Sequence, residues 1–426
     1  MNLKTFGHAT LSFDNGDKPI LITDPWLIGS SYWRSWWLQH YPSQSELDYL
    51  KTTENIFLSH EHWDHAHFPS LKKLFLKKKI FIPTFNSKKL RDSLLDYNFN
   101  VTELAPNKWY NFDKLRVMII TTYSEDSIML FVYKNYLVLN NNDAKPSKQM
   151  VKRILNFKDD NKLKLLILQS YSPASIVNSF RDTNKNVISM KNKIDYVNYI
   201  KNICKILKAD YFLPFASHAI FSRPDSEWAN SHKVTNEDLN KDWNVDTKLL
   251  KSYTSLNLDN ETTQNNVINF NLSKKMSELA NTEFNENLNY DYKLNDLNYF
   301  SNITKPVRFF LALIYPRGLN FKFDENFYIF NFFKNSFSMS KKKTSHYFEI
   351  PVKTFCESSK YFNFTDVGAA FLLKIIVKNK INIFQTYLLF LFLSYSEKGY
   401  FSNFKMFFNL FGLIKIHFFP KKIQHL

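Results

Sequence analysis

The feature that most constrains this chain is LSHEHWDHAH at residues 58–67, where four histidines, one aspartate and one glutamate occupy ten positions. The apolar run NIFLS at residues 55–59 leads into it and predicts a short buried strand. His60 and His62 lie two residues apart where this strand ends, so both side chains turn to one face, and a loop lets them converge on one ion. We therefore interpret the segment as a metal-binding loop.

Asp64 and His65 follow within a short step, which puts them within reach of a second ion nearby. Imidazole nitrogen and carboxylate oxygen are together the ligands that proteins use for zinc, iron or manganese. We expect a divalent metal, zinc in one or two ions, with iron as the alternative. A His-rich surface loop without metal is the competing interpretation, but it does not explain why ligand-type side chains directly follow an apolar strand.

Strands and helices alternate along the first 248 residues. A hairpin is predicted across the turn DNGDK, with strands over residues 3–13 and 19–23. Apolar periodicity also predicts the strands KIFIP, RVMIITTY, SIMLFVY, YLVLNN, KLKLLILQS and DYFLPFAS, and the helices FPSLKKLFLKK, PSKQMVKRILNF and KIDYVNYIKNICKIL. This alternation indicates an α/β architecture.

The composition changes after Lys248. An Asn- and Thr-rich stretch predicts a linker over residues 249–297, and residues 298–426 hold more than half of the 42 phenylalanines. Within this Phe-rich region, YFEIPVKTFCESSKYFNFTDVGAAFLLKIIVKN predicts strand, helix and strand. We therefore expect a metal-binding domain over residues 1–248 and a smaller α+β domain after the linker.

The net charge of +17 suits an acidic small-molecule substrate, although a general drift toward Lys, Asn, Ile, Phe and Tyr explains it as well. Neither zinc-finger spacing nor an RNA-binding aromatic signature is present, so no nucleic-acid partner is expected. The two cysteines, Cys204 and Cys356, are far apart, which favours a reducing, cytoplasmic setting. The first residues lack a long apolar segment, and the longest apolar run, residues 384–394, is too short to span a bilayer.

The sequence SHEHWDH resembles the S/T-H-x-H-x-D-H signature of the metallo-β-lactamase fold hydrolases. FGHATLSF followed by ILITDPWL is similar to the start of a branch that holds ascorbate-6-phosphate lactonases and N-acyl-phosphatidylethanolamine phospholipases D. TDPWLIGSSYWRSWWLQHYP, DSIMLFVYKNYLVLNNNDA and LQSYSPAS with LPFAS resemble most closely the catalytic domain of CMP-N-acetylneuraminate hydroxylases. The resemblance covers roughly residues 5–245 and implies an αββα sandwich of two packed sheets flanked by helices.

The resemblance also implies a set of metal ligands. His60 and His62 match the histidines of the first metal, and Asp64 and His65 match the pair of the second metal. Asp143, which follows the strand YLVLNN, matches the carboxylate that bridges both metals; a turn aspartate in an Asn-rich loop is the alternative. Asp64 is in addition the expected catalytic residue, because it would take or steer the proton of a metal-bound water.

Three further residues follow from the same resemblance. His218, at the exit of the strand LPFAS, would complete the second site, with a plain loop histidine as the alternative. Asp24 matches an aspartate that orients the ligand loop through a hydrogen bond, with a turn aspartate before Pro25 as the alternative. His8 would contact the site as a hydrogen-bond donor behind the ligands, unless it is simply packed in its strand.

The chain departs from the family where a third histidine for the first metal is expected, at residues 121–127. Tyr123, Ser124, Glu125 or Asp126 would have to substitute, most plausibly one of the carboxylates. Otherwise water completes the first site, or the first site is empty. If it is empty, a single ion remains in the second site.

An aromatic loop near the start of the chain is a candidate substrate pocket. Arg34, Trp36 and Trp37, with Trp33 beside them, would suit a sugar or a nucleotide phosphate, whereas a packed lid over the core is the alternative. Arg223 and Asp225 are weaker candidates of the same type.

These features predict a metal-dependent hydrolase that uses metal-activated water on a phosphorylated, nucleotide-sugar or glycolipid-like substrate. An iron-dependent oxygenase is the alternative that the hydroxylase resemblance implies; it would need a separate electron donor, because two isolated cysteines cannot form a Rieske centre. A metal-poor protein that only binds a ligand is the third hypothesis, and the missing histidine supports it.

The Phe-rich region is faintly similar to sterol-carrier-like domains found on some members of this branch. Its aromatic residues would line an acyl-binding cavity or, more commonly, fill a core. A basic amphipathic tail with Phe418, Phe419, Lys421 and Lys422 suggests peripheral contact with a membrane.

Overall fold

Two facing β-sheets form the N-terminal part of the protein. The computed structural model describes residues 1–122, 124–172, 179–241, 243–265, 274–340 and 344–408. The strands of the N-terminal part are β1 (Asn2–Phe6), β2 (Thr10–Asp14), β3 (Pro19–Thr23), β4 (Ser30–Ser31), β5 (Trp36–Leu38), β6 (Asn55–Phe57), β7 (Lys79–Pro83), β8 (Asn100–Leu104), β9 (Trp109–Phe112), β10 (Leu115–Thr121), β11 (Ser127–Tyr133), β12 (Tyr136–Asn142), β13 (Lys164–Ser170), β14 (Phe180–Arg181), β15 (Tyr211–Phe215), β16 (Ala219–Phe221), β17 (Lys248–Leu249), β18 (Thr254–Asn257) and β19 (Thr263–Asn265).

The helices of this part are α1 (Gln44–Leu50), α2 (Phe68–Leu74), α3 (Lys89–Asp96), α4 (Lys148–Asp160), α5 (Lys193–Leu207) and α6 (Asn236–Lys241), with a 3₁₀ helix at Glu227–His232. Among the described residues, the first sheet has the order β19-β18-β1-β2-β3-β6-β7-β8 and the second β17-β15-β13-β12-β11-β10-β9. A small sheet, β16-β5-β4, lies beside them.

The two sheets bury one apolar layer between them, with Leu11, Phe13, Phe131 and Val138 at its centre. Helices cover the outer faces: α2 and α3 pack on the first sheet, and α4 and α5 pack on the second. This arrangement confirms the predicted αββα sandwich. Because the strands alternate inward and outward side chains, both faces of each sheet need a cover, and the amphipathic helices supply the outer one.

A turn at Gly7 divides the first predicted strand. Residues 3–13 do not run as one strand, because β1 and β2 pair antiparallel with each other, Leu3 opposite Phe13. Gly7 has φ +54°, and a Cβ there would meet the Trp26 carbonyl oxygen at 2.4 Å, so only glycine fits. The turn brings His8, which follows Gly7, close to the histidine loop.

The first sheet continues past residue 248. Strand β18 pairs with β1, Leu3 opposite Leu256, and β19 extends the same edge. The interpretation of residues 249–297 as a linker is therefore wrong for residues 254–265, because the buried Leu256 completes the apolar layer and the pairing satisfies the edge of β1. Helix α7 (Lys274–Leu288) forms within the rest of this stretch.

The C-terminal region contains helices α8 (Leu294–Leu297), α9 (Phe300–Thr304), α10 (Arg308–Ile314), α11 (Val352–Lys360), α12 (Asp366–Ala369) and α13 (Lys380–Glu397), a 3₁₀ turn at Lys305–Val307, and strands β20 (Leu319–Phe323), β21 (Asn326–Asn331), β22 (Ser336–Met339), β23 (Tyr347–Glu349) and β24 (Lys374–Ile376). The strand–helix–strand prediction corresponds to β23, α11 and β24. The sheet order is β14-β24-β23-β20-β21-β22, so a strand of the N-terminal part completes it.

Phenylalanines fill the core of the C-terminal region. Phe300, Phe321, Phe330 and Phe355 are fully buried and contact one another ring to ring. The same apolar cluster includes Trp36 of the N-terminal part, so the two regions share one continuous core. A sterol-carrier-like fold stays a prediction, as does the tail contact with a membrane, because residues 409–426 lie outside the described residues. None of the helices that the structure describes is long and apolar enough to cross a membrane.

Candidate metal centre

The histidine loop lies at one edge of the sandwich, where it meets three other loops. Residues from the turn after β1, the end of β10 and the end of β12 approach it, and together they form three groups whose ligand atoms lie within 4.8 Å of one another. The groups are His60, His62 and Asp126; His60, His65 and Asp143; and His8, Asp64 and His65. Five of the six predicted ligands thus come together, and His218 is the one that does not.

His60 and His62 approach each other as the loop spacing predicts. The Nε2 atom of His60 lies 2.8 Å from Nδ1 of His62, and Nδ1 of His60 lies 2.9 Å from the Ser59 hydroxyl. Burial is the main reason that the pKa of His60 falls well below its usual value, with His65 and His62 adding to the effect. His60 is therefore neutral at pH 7, the form that binds a metal.

His65 provides the clearest indication that the residues suit a metal. Its Nδ1 atom lies 3.0 Å from an oxygen of Asp24, while its buried Nε2 atom has no hydrogen-bond partner within the described part of the chain. Nε2 lies 3.5 Å from an oxygen of Asp64 and 3.5 Å from one of Asp143. A carboxylate behind one nitrogen and a free nitrogen that faces two carboxylates is the typical arrangement of a metal-bound histidine.

Asp24 has the orienting position that the resemblance implies. One of its oxygens accepts from the backbone N–H of Ser59 at 2.7 Å, and the other accepts from the Ser59 hydroxyl at 2.7 Å. Asp24 has φ +43°, a left-handed conformation that aspartate tolerates better than most residues. The buried carboxylate thus links the start of the loop to His65.

Asp64 is held from several sides. Its Oδ1 accepts from the Tyr32 hydroxyl at 2.7 Å, and its Oδ2 lies 3.1 Å from Nε2 of His8. Burial opposes ionisation, but His65 and His8 outweigh it and hold the pKa of Asp64 well below its usual value. Both oxygens of Asp64 are thus engaged by neighbouring side chains, and its expected catalytic role stays a prediction.

The contacts of His8 fit a donor behind the ligands, one of the two roles that the sequence leaves open. Its Nδ1 atom accepts from the backbone N–H of His218 at 3.1 Å, so in the neutral ring Nε2 carries the hydrogen and donates it to Asp64. Its position in a group of three ligand-type residues also permits direct binding, but the hydrogen bond to Nδ1 favours the donor role.

His218 does not face the loop, which corrects its predicted role in the second site. Its ring nitrogens lie 3.2 Å from the Pro214 carbonyl oxygen and 3.3 Å from the Tyr171 hydroxyl, and the ring packs against Tyr253. Burial and the nearby His8 lower the pKa of His218 to about 3, so the ring is neutral. His218 is therefore a buried, packed histidine that follows the end of β15 in the sequence.

A carboxylate of the loop at residues 121–127 lies beside the two histidines assigned to the first metal. Asp126 lies in a group with His60 and His62, and its Oδ2 accepts from the Ser124 hydroxyl at 2.6 Å. Glu125, the other carboxylate in this loop, is buried and points toward Ser87 and Tyr400 instead. Tyr123 lies outside the described residues. The sequence predicted a carboxylate here, and the geometry selects Asp126.

The aromatic loop divides into a packed part and an open part. Trp36 and Trp37 are only 2% and 3% exposed, so the structure does not support their predicted contact with a substrate. Trp36 belongs to the shared core, and the Trp37 indole donates to the Arg34 carbonyl oxygen at 2.8 Å. Trp33 instead lines an open cavity of about 370 Å³ with Trp63, Glu357, Tyr361 and Asn363. Arg34 is partly exposed and donates to the Leu279 carbonyl oxygen at 3.3 Å; its contact with a substrate stays a prediction.

Tyr32 is a site residue that the sequence analysis missed. Its hydroxyl holds Asp64, and its ring stacks on Trp63 of the histidine loop at 5.7 Å and 3°. Tyr32, Trp33 and Arg34 have φ values of +50°, +53° and +58°, three consecutive left-handed residues without glycine. Such strain is common at functional sites, but it is not visible in the sequence.

Arg223 and Asp225 form an interior ion pair rather than a substrate contact. Arg223 is fully buried, and its Nη2 donates to Asp225 at 3.1 Å and its Nη1 to the Trp33 carbonyl oxygen at 3.3 Å. The guanidinium also lies 3.4 Å from the Thr354 hydroxyl of α11. The pair joins the two regions of the chain.

The comparisons with known proteins agree with this geometry. No family model matches the chain. The chain is 33% identical to cytidine monophosphate-N-acetylneuraminic acid hydroxylase of Sus scrofa over 147 residues, which cover 32% of this chain and 33% of that protein. It is 27% identical to the Macaca mulatta enzyme of the same name over 247 residues, 54% of this chain and 40% of that protein.

The chain spans between about a third and a half of the length of the curated relatives that it matches. Among solved structures, isothiocyanate hydrolase from Delia radicum gut bacteria is 14% identical, with a TM-score of 0.43 over 61% of this chain and 99% of that one. The sequence similarity is thus to the hydroxylases whose catalytic domain the motifs resemble.

Proposed function

We propose that the protein is an iron-dependent oxygenase that hydroxylates an acidic, sugar-like substrate. The observation that carries this proposal is the group of His60, His62 and Asp126. Two histidines and one carboxylate are the ligand set of many non-haem iron oxygenases. A third histidine in place of Asp126 would favour zinc.

The sequence relatives support the same proposal. They are named hydroxylases, and the 247 aligned residues correspond to about half of the chain. The full donor set points in the same direction, because three carboxylates, Asp64, Asp126 and Asp143, join the histidines. Oxygen-rich ligand sets are better suited to iron or manganese than to zinc.

Iron bound here would supply the redox chemistry that dioxygen reduction requires. Hydroxylation transfers one oxygen atom to a C–H bond of the substrate, and the other leaves as water with two protons and two electrons. A separate electron-donor protein would supply those electrons. The chain itself holds the ligands in place: Asp24 orients His65, and Tyr32 and His8 fix the two oxygens of Asp64.

The open aromatic cavity beside the histidine loop supports a substrate with a ring. Trp33 and Trp63 contact each other at 4.7 Å, and Trp63 lies between His62 and Asp64 in the sequence. Aromatic faces with a carboxylate and an amide nearby, here Glu357 and Asn363, suit a sugar or a base. The net charge of +17 suits an acidic group on that substrate.

A hydrolase that activates water with two metals is the second candidate. The observation that favours it is the sharing of ligands: His65 belongs both to the group with Asp143 and to the group with Asp64. Adjacent metals in such sites polarise a substrate oxygen and generate hydroxide at neutral pH. The side chain of Asp143 is 28% exposed, so a substrate can approach this end of the centre.

The test compares the two metals and the two reactions. The purified protein is loaded with Fe(II) or Zn(II) without oxygen and then given CMP-N-acetylneuraminate, a chemical reductant and air. We expect oxygen uptake and a product heavier by one oxygen atom with iron only. Asp126→Ala should lose the activity, and Asp160→Ala, an exposed aspartate at the end of α4, should keep it.

Release of a hydrolysis product with zinc, without oxygen uptake under any condition, would select the hydrolase instead. Absence of metal binding would reject both functions.

A further inference from the structure

We propose that the C-terminal region completes the metal centre, with Lys398 and Tyr400 as positioning residues for Asp126. The inference rests on the metal centre of the proposed function. Helix α13 ends at Glu397, and the two residues lie just beyond it, against the loop that joins β10 to β11. That loop carries Asp126, the carboxylate beside the two histidines assigned to the first metal. The last described part of the chain thus contacts the metal-binding edge of the sandwich.

Lys398 makes a direct contact with this loop. Its Nζ donates to the Ser124 carbonyl oxygen at 2.7 Å, and it lies 3.7 Å from an oxygen of Glu61 in the histidine loop. The Lys398 side chain is only 13% exposed. One buried ammonium group therefore links the two loops that supply His60, His62 and Asp126.

Tyr400 makes the second contact. It is fully buried, and its hydroxyl donates to Oε1 of Glu125 at 2.7 Å. The same oxygen accepts from the backbone N–H of Ser87 at 2.8 Å. Glu125 has φ +63°, a left-handed conformation that costs a non-glycine residue about 1–3 kcal/mol and persists only where its surroundings hold it.

These contacts act on Asp126 through short bonds within the loop. The Ser124 hydroxyl donates to Oδ2 of Asp126 at 2.6 Å, and the backbone N–H of Thr122 donates to the Asp126 carbonyl oxygen at 2.9 Å. Lys398 holds the backbone of Ser124, and Tyr400 holds the side chain of Glu125. The residues on the N-terminal side of Asp126 are therefore fixed from the C-terminal region.

The charge of Lys398 suits this position. Glu61, Glu125, Asp126 and Asp366 surround it, and their combined attraction outweighs burial and raises the pKa of its ammonium group. A cation here balances the carboxylates without competing for the metal, because an ammonium group has no lone pair to donate. An apolar replacement would remove the cation that balances these carboxylates and would free the loop.

The test measures metal binding rather than turnover. Full-length Lys398→Met, Tyr400→Phe and Asp126→Ala variants are stripped of metal and titrated with Fe(II) and Zn(II) by calorimetry, and metal per chain is counted after gel filtration. We expect Asp126→Ala to abolish one binding event. Lys398→Met should weaken that same event by about 10–100-fold, the usual effect of losing a partner behind a ligand. The other binding event should be unchanged.

Matched controls separate this role from a general effect on folding. Lys378→Met removes an exposed lysine of the same region and should bind metal as the wild type does. Lys398→Arg, which keeps a donor and a charge, should restore much of the affinity. Tyr400→Phe removes one hydroxyl and serves as the milder variant if Lys398→Met unfolds.

Wild-type affinity in both Lys398→Met and Tyr400→Phe, with a clear loss in Asp126→Ala, would overturn this inference and leave the proposed function intact. Full metal content and wild-type affinity in Asp126→Ala would exclude Asp126 as a ligand and would overturn both this inference and the observation that carries the proposed function.

Discussion

At the scale of single residues, the chemistry depends on which imidazole nitrogen is free. Asp24 accepts from one nitrogen of His65 and leaves the other to face Asp64 and Asp143. His8 is held in the opposite way: its Nδ1 accepts a backbone hydrogen, so its Nε2 donates. Two buried histidines whose Nε2 atoms lie 3.1 and 3.5 Å from the same oxygen of Asp64 therefore take different roles, because their other hydrogen-bond partners differ.

The first prediction concerns Asp24. In Asp24→Asn, one acceptor oxygen becomes an amide donor, so either the Ser59 bonds or the His65 bond is lost. We expect metal affinity to fall by about 10–100-fold, measured by calorimetry. Asp17→Asn, on an exposed turn, is the control and should bind as the wild type does. Equal affinity in both variants would show that Asp24 does not orient a ligand.

The second prediction concerns the choice of metal. Asp126→His restores the third histidine that related sequences are expected to have at this position. Because imidazole in place of carboxylate favours zinc over iron, the variant should prefer Zn(II) more strongly than the wild type in competitive titration. It should also lose oxygen uptake with iron. An unchanged preference would mean that Asp126 does not bind the metal.

At the scale of elements, strand ends and turns bring the site together. The centre collects residues from the turn between β1 and β2, the exit of β6, the loop before β11 and the exit of β12. The strands are rigid and the ligands follow them directly, so each ligand has little freedom to move. The turn at Gly7 is the most constrained of these connections, because the Trp26 carbonyl oxygen leaves no room for a side chain.

The third prediction tests this turn. Gly7→Ala and Gly29→Ala both place alanine at a left-handed φ, +54° and +63°, but only the first brings a Cβ to 2.4 Å from a backbone oxygen. Both variants should lose about 1 kcal/mol or more from the backbone, and Gly7→Ala should lose more because the turn must also move. Urea unfolding measures both. Equal losses would mean that the close approach is relieved without cost.

At the scale of the whole molecule, one core and one set of buried charges join the two regions. Trp36 packs in the Phe-rich core, Arg223 bonds to α11, and Lys398 reaches the metal-binding edge. Several carboxylates, including Asp366 and Glu397, are buried near this junction. The stability of the molecule should therefore depend on pH through these groups.

The fourth prediction follows from Glu397. Burial raises the pKa of its carboxyl to about 7, despite the attraction of Lys89 and the hydrogen bonds from Thr365. The folded state thus holds a proton that the unfolded chain loses near pH 4.5, so the stability of the wild type falls as pH rises from about 4.5 through 7. Glu397→Gln cannot lose this proton.

The free energy of unfolding of Glu397→Gln relative to the wild type should therefore rise with pH over that window, by on the order of 3 kcal/mol at most. Chemical unfolding at a series of pH values measures the difference. A difference that stays constant between pH 4.5 and 8 would show that Glu397 titrates as it does in water.

The histidine loop and the alternation of strands and helices could be predicted from the sequence. These features are local: the type and spacing of ligands after an apolar strand are visible without the rest of the chain. The approach of His60 to His62 needed only that spacing. The resemblance to a known family added the strand exits where Asp143 and Asp24 would meet the loop.

Only the tertiary structure decided the rest. It turned His218 into the interior, brought Tyr32 to Asp64, selected Asp126 over Glu125, and placed Lys398 against the Asp126 loop. Each of these outcomes depends on contacts between residues far apart in the chain. Some also depend on left-handed backbone conformations at residues other than glycine, which the sequence does not reveal. A sequence specifies which side chains are able to bind a metal, whereas packing determines which of them face one another.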